Sequence, residues 1–161
     1  MTSEQPVSFL LVEDDISHAQ LVMLEFDGHK NTTICHVLNG SEAMSYLRGE
    51  GTFLPDVIIL DLKMPKKDGH DVISEVRNDA ALKSIPIVVL TSSSDENDKK
   101  RAYELQINDY LVKPVKFTDF SRMIQDLIQY WSTANAQIRE KIGKLSTKTE
   151  NLRNVLDGEQ S

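Results

Sequence analysis

A chain of 161 residues with a formal net charge of −7 has room for one domain of ordinary size and a short remainder, not for two full domains. The acidic balance repels nucleic-acid backbones and anionic membranes at long range, which leaves proteins and small phosphates as the expected partners. The longest apolar runs, such as Val57-Ile58-Ile59-Leu60, fall far short of the roughly 20 residues that span a bilayer, and the Met1 to Pro6 tail lacks the basic flank and apolar stretch of a signal peptide, so the expected location is the cytoplasm.

Along the chain, short apolar and β-branched runs alternate with stretches of helical spacing. The first strand is expected over Phe9 to Val12 and runs into Glu13-Asp14-Asp15; Ile16, Ala19, Met23 and Phe26 then mark a helix. A second strand over Thr33 to Val37 contains Cys35, the sole cysteine, which reads as buried filler because it has no disulfide partner. Asn39 and Ser41 stand where a second helix carrying Ala43, Met44 and Leu47 needs its N-cap, and Gly49 and Gly51 follow its end. Val57 to Leu60 is the third strand, ending at Asp61, with Val72, Ile73 and Val76 on the helix behind it. The fourth strand, Ile85 to Leu90, leads into Thr91-Ser92, and Ser93 with Glu96 has the spacing of a capping box. The helix that follows is wholly polar from Asp95 to Arg101 and has only Ala102, Tyr103 and Leu105 to anchor it, which makes it a candidate for movement. Tyr110 to Val112 is the fifth strand, followed by Lys113-Pro114, and a fifth helix begins near Thr118 and Asp119 with Phe120, Ile124, Leu127 and Ile128 inward.

Strands and helices alternating at this length form right-handed crossovers, hence a parallel sheet covered on both faces; the continuously apolar third and fourth strands agree. The fold class is α/β, doubly wound. In such a sheet ligands bind beyond the carboxyl ends of the strands, so Glu13-Asp14-Asp15, Asp61, Thr91 and Lys113 are expected to converge. Taken singly, each has a plain structural use as a turn, cap or solvated surface residue. Their joint arrival on one edge changes the reading. Two carboxylates about 4 Å apart repel by about 4 kcal/mol at an effective dielectric near 20, so neutralising charge is required. Lys113 supplies part of it, and an all-oxygen donor set points to Mg²⁺ for the rest. An aspartate can attack phosphorus to give an acyl phosphate, with Asp61 as the nucleophile.

The segments Leu10-Leu11-Val12-Glu13-Asp14-Asp15, Ile59-Leu60-Asp61-Leu62-Lys63-Met64-Pro65 with Asp68-Gly69, Val89-Leu90-Thr91 and Tyr110-Leu111-Val112-Lys113-Pro114 resemble two-component response regulator receiver domains over about residues 7 to 131. The resemblance implies a flavodoxin-like five-stranded sheet of order 2-1-3-4-5 with helices on both faces. It also implies a signalling switch, not an enzyme, that accepts a phosphoryl group from a sensor histidine kinase on Asp61. In that pattern Asp14, Asp61 and the backbone carbonyl of Lys63 hold Mg²⁺ with Glu13 as a ligand through water, Thr91 and Lys113 contact the phosphoryl group, Tyr110 is the switch aromatic, and the bond before Pro114 is cis. Phosphorylation would draw Thr91 inward, let Tyr110 follow and reshape the face made by the fourth helix, the fifth strand and the fifth helix. Tyr110 also has a plain reading as core packing. Within the family, the Thr91 to Ser94 run, Tyr103-Glu104-Leu105 and Tyr130-Trp131 resemble single-domain regulators paired with phytochrome-type kinases.

Beyond the receiver pattern, residues 132–161 continue a heptad-like stripe through Trp131, Asn135, Ile138, Ile142, Leu145, Thr149, Leu152 and Leu156, so an extended C-terminal helix is expected. It serves a homodimer, through this helix and the face made by the fourth helix, fifth strand and fifth helix, an acidic partner helix, or no partner as an amphipathic tail. Arg139, Lys141, Lys148 and Arg153 flank the stripe with one sign and oppose a parallel pair, and Gly143 weakens the helix. Two rival functions remain. A haloacid-dehalogenase-type phosphatase needs a second aspartate two residues after its nucleophile, where this chain has Lys63. A receiver-like interaction module would bind partners without phosphorylation. His18, His29, His36 and His70 lack metal-ligand spacing and read as surface or packing residues, and neither a helix-turn-helix nor a catalytic output domain is expected in residues 132–161.

Overall fold

The computed structural model describes residues 5–49, 53–65 and 67–158. Five strands form a single parallel sheet of order β2-β1-β3-β4-β5: β1 (Val7–Val12), β2 (Thr32–Val37), β3 (Val57–Leu60), β4 (Ile87–Thr91) and β5 (Asp109–Val112). The helices between and after them are α1 (Ile16–Phe26), α2 (Gly40–Leu47), α3 (Gly69–Asn78), α4 (Glu96–Glu104) and α5 (Phe117–Gly158). Strands β3 and β4 are buried at every position, as their unbroken apolar sequence requires between two helical layers.

Alternate residues of each strand enter opposite cores. Leu10, Val12, Ile58, Leu60, Ile87 and Val89 pack with Ala43, Met44 and Leu47 of α2, with Val72, Ile73 and Val76 of α3, and with Ala102 of α4. On the other face Phe9, Leu11, Val57, Ile59, Val88 and Leu90 meet Ala19, Val22 and Phe26 of α1 and Phe120, Ile124, Leu127 and Ile128 of α5. Phe9 and Phe26 pack edge to face with ring centroids 4.9 Å apart.

Asn39 caps α2 as expected, accepting from the Glu42 N–H; Gly51 lies outside the described residues, as do residues 1–4 of the expected tail. The capping-box expectation for α4 is corrected. Asp95 is the N-cap, with Oδ1 accepting from Asn97 N and Asp98 N, whereas the Ser93 hydroxyl donates to Asp98 Oδ2 at 2.7 Å. A carboxylate one residue before the helix reaches its free N–H groups and suits their positive end, which leaves the serine free to brace the loop. Tyr103 is exposed, so Ala102 is the one fully buried anchor of α4.

Helix α5 begins one residue before the expected start and runs unbroken for 42 residues. Arg139 ties it to the base of the sheet, donating to the carbonyls of Gln5 and Pro6 and pairing with Asp56 Oδ2 at 2.9 Å. Asp56 in turn accepts from the Ser8 N–H at 2.9 Å. Past this clasp Ile142, Leu145, Leu152 and Leu156 are exposed. No helix among the described residues is long and apolar enough to cross a membrane.

Candidate functional site

Register decides which side chains meet. Val12 of β1 pairs with Leu60 of β3, and Leu60 with Val89 of β4, so Glu13 and Asp61 leave the sheet together on its carboxyl edge. Carboxylate oxygens of Glu13, Asp14 and Asp61 all lie within 4.8 Å of one another. Glu13 and Asp61 are buried, while Asp14 faces outward. Gly69 allows this compactness: a Cβ there would lie 2.5 Å from the Asp61 carbonyl oxygen and 2.6 Å from Leu62 Cα, so only glycine lets α3 begin against the end of β3.

Lys113 arrives from the end of β5, its backbone N–H held by the Thr91 carbonyl at 2.8 Å. Its ammonium donates to Glu13 Oε2 at 2.9 Å, to His18 Nδ1 at 3.0 Å and to Asp61 Oδ2 at 3.2 Å. The second Asp61 oxygen accepts from the Lys63 N–H at 3.3 Å, and Glu13 Oε1 accepts from the Asp15 N–H at 3.2 Å. Burial first, and then the Asp61 carboxylate, push Glu13 up from 4.5 to about 7 against the lowering pull of Lys113. At Glu13, burial and the neighbouring carboxylate thus outweigh the lysine and the Asp15 N–H. The donors are all hard oxygens, a set that fits Mg²⁺ or a similar divalent cation.

Of the residues expected from the sequence, the structure brings Glu13, Asp14, Asp61 and Lys113 into one cluster. Thr91 is buried at the same edge, and its hydroxyl accepts from the Ser93 N–H at 3.3 Å. Tyr110 lies in the α2-α3-α4 core and donates its hydroxyl proton to the Ser93 carbonyl at 2.9 Å. Pro114 follows a trans bond, since no peptide bond among the described residues is cis; this corrects the cis bond that the resemblance implied.

The histidines take packing and surface positions, as read from the sequence. His18, on the first turn of α1, contacts Lys113; His36 places Nε2 2.8 Å from the Glu13 carbonyl oxygen; His70 is buried with Nε2 3.2 Å from the Asp98 carbonyl oxygen, joining α3 to α4. What the sequence reading missed is the contact of His18 with Lys113. Position relative to a strand end, one turn past Asp15 in the case of His18, is the feature that would have found it.

A family model described as the response regulator receiver domain matches residues 9–125. "Probable methanogenesis regulatory protein FilR2" of Methanothrix harundinacea is 41% identical over 135 residues, covering 81% of this chain and 87% of that protein. Response regulator Rcp1 of Synechocystis sp. is 39% identical over 137 residues, covering 80% of this chain and 91% of that one. The crystal structure of Rcp1 in a Mn²⁺-bound form superposes with a TM-score of 0.75 at 36% identity, over 78% of this chain and 94% of its own. That of the phosphorylated cyanobacterial phytochrome response regulator RcpA gives a TM-score of 0.77 at 34% identity, over 80% of this chain and 96% of its own.

Proposed function

The chain belongs to the response regulator receiver domain family of two-component signalling, and on that premise we propose that it takes a phosphoryl group from a sensor histidine kinase onto Asp61. The observation that carries this reading is the meeting of three carboxylates within 4.8 Å, with a lysine ammonium 3.2 Å from Asp61. Glu13, Asp14, Asp61 and the Lys63 carbonyl would hold a Mg²⁺ ion, which when bound offsets charge on the oxygens of the transferring group.

Asp61 attacks phosphorus with one carboxylate oxygen. A new O–P bond forms as the P–N bond of the kinase phosphohistidine breaks, and the electron pair leaves with the imidazole. Lys113 supplies positive charge beside the reacting oxygen. Its depth matters, because a charge-assisted bond in a water-poor site is stronger than one at the surface. The Thr91 hydroxyl accepts from Ser93 but keeps its own proton, which it can give to a phosphoryl oxygen. Ser93 also holds Tyr110 and Asp98, so a shift of Thr91 acts on the loop that carries α4.

With one fully buried residue, α4 has little packing to resist such a shift, which supports the α4-β5-α5 face as the output surface. We take residues 7–131 as the receiver unit, 132–161 as a helical extension that pairs two copies through its exposed stripe, and the cytoplasm as the setting. The similarity to RcpA, a cyanobacterial phytochrome response regulator, supports a phytochrome-type kinase as donor. Incubation of the wild type and of Asp61→Asn with labelled acetyl phosphate and Mg²⁺ tests the assignment. The wild type acquires label and the variant does not; equal labelling of both would remove Asp61 from the role.

A further inference from the structure

An ammonium has three protons and no acceptor, and the one on Lys113 spends all three: on Glu13, on His18 and on Asp61. We propose that His18 is a positioning residue, which accepts one Lys113 proton at Nδ1 and so aims the ammonium at Asp61 during phosphoryl transfer. The inference rests on Asp61 being the phosphoacceptor.

Chemistry distinguishes His18 from the other two acceptors. Because Lys113 can only donate, its 3.0 Å contact requires Nδ1 to act as the acceptor; Nδ1 also stands 3.9 Å from Glu13 Oε1, and Nε2 3.8 Å from Asp15 Oδ2. As an acceptor through a ring nitrogen, the imidazole brings no negative charge to the lysine. A third carboxylate at this position would cancel more of the ammonium charge, whereas a neutral nitrogen directs the group and leaves its charge for the phosphoryl oxygens. Asp61 loses its carboxylate charge when it becomes an acyl phosphate, and its hold on Lys113 changes with it. The hold from His18 does not depend on that charge.

Rigid structure delivers the ring. Asp15 caps α1 by accepting the His18 N–H at 3.1 Å, and Ala19, Val22 and Phe26 bury the same helix against the sheet. Lysine by contrast has a long flexible stem, so a fixed third acceptor restricts which way its head points. The His18 side chain itself is 42% exposed, so replacing it opens no cavity in the core.

Three substitutions separate orientation from packing. In His18→Asn the side-chain oxygen stands as many bonds from Cα as Nδ1 does; in His18→Gln it stands one further out; in His18→Leu no acceptor remains. Rates of acyl-phosphate formation from acetyl phosphate and Mg²⁺ are compared for these variants and for the same changes in a Lys113→Ala background. The expected result is on the order of a 10-fold lower rate for Leu and Gln, the scale of one lost hydrogen bond to a charged group, with Asn close to wild type. In the Lys113→Ala background all three react alike, because His18 acts through the lysine. A wild-type rate in His18→Leu would overturn the proposal, as would an Asn variant as slow as Leu, or an undiminished effect of Leu without Lys113. Thermal unfolding midpoints confirm that each variant is folded. If instead the wild type takes no label, or Asp61→Asn takes as much, it is the phosphoacceptor assignment that fails.

Discussion

The phenol of Tyr110 and the backbone carbonyl of Ser93 are joined by a buried 2.9 Å hydrogen bond, which ties the middle of β5 to the loop between β4 and α4. Burial raises the phenol above its ordinary pKa, so it remains a donor throughout the neutral range. Tyr110→Phe deletes the donor, keeps the ring, and leaves the Ser93 carbonyl without this partner, at a cost of about 1–2 kcal/mol in urea unfolding. Amide exchange should quicken in α4 more than in α1, because the bond restrains the loop from which α4 starts. Equal exchange in the two helices would show that the bond does not restrain α4.

Arg77 is a second brace. Its Nε donates to the Gln106 carbonyl at 2.9 Å, Nη1 to the carbonyls of Lys83 and Ile85 at 2.9 and 2.8 Å, and Nη2 to Asn108 Oδ1 at 3.1 Å. Gln106 has a φ of 71°, so the guanidinium also holds a turn in the left-handed region. Arg77→Ala should cost about 2–3 kcal/mol of stability, since several acceptors lose a charged donor together. Arg77→Lys should recover less than half of this, because one ammonium cannot reproduce the planar fork. Full recovery by lysine would mean that charge alone is sufficient.

Glu13 makes stability depend on pH in a definite direction. Its carboxyl, raised from 4.5 to about 7 in the fold, keeps a proton there that the unfolded chain has already released. Between about pH 4.5 and 7 the folded state therefore binds more protons, and this residue's contribution to stability falls as pH rises. In chelator-treated protein, Glu13→Gln should flatten that part of the stability curve relative to wild type. Added Mg²⁺ should stabilise the wild type more at pH 8 than at pH 6, because the cation and the proton compete for one carboxylate. Parallel curves for the two proteins would contradict the shift.

The exposed stripe on α5 is tested by cutting the chain after Lys141, which retains the Arg139 clasp on Asp56 and so preserves the docked part of the helix. Sedimentation should show a dimer for the full chain and a monomer for the shortened one. An unchanged association state would remove the helix from self-association. Substituting Ile142 and Leu152 by Glu in the full chain should have the same effect as the cut, since both are exposed on the stripe.

The sheet could be read from the amino-acid sequence because each strand is a local event: a few apolar, β-branched residues, then a polar residue where the chain leaves the sheet. Val57 to Leu60 followed by Asp61 needed no distant information, and a parallel alternation allows few ways to place such strand ends. The same locality limited the reading of α4, where Ser93 has the capping-box spacing to Glu96 but the loop path makes Asp95 the cap. Contacts across long separations were beyond it. His18 meets Lys113 across 95 residues, and Arg139 meets Asp56 across 83. Nothing local distinguishes Arg139 from an ordinary surface residue, and His18 is marked only by standing one turn past Asp15. Residue order was thus enough to specify which carboxylates reach the sheet edge, since backbone periodicity and crossover handedness settle that. Tertiary packing alone decided how the lysine between them is aimed, because the direction of a flexible ammonium depends on every acceptor the folded chain brings to it.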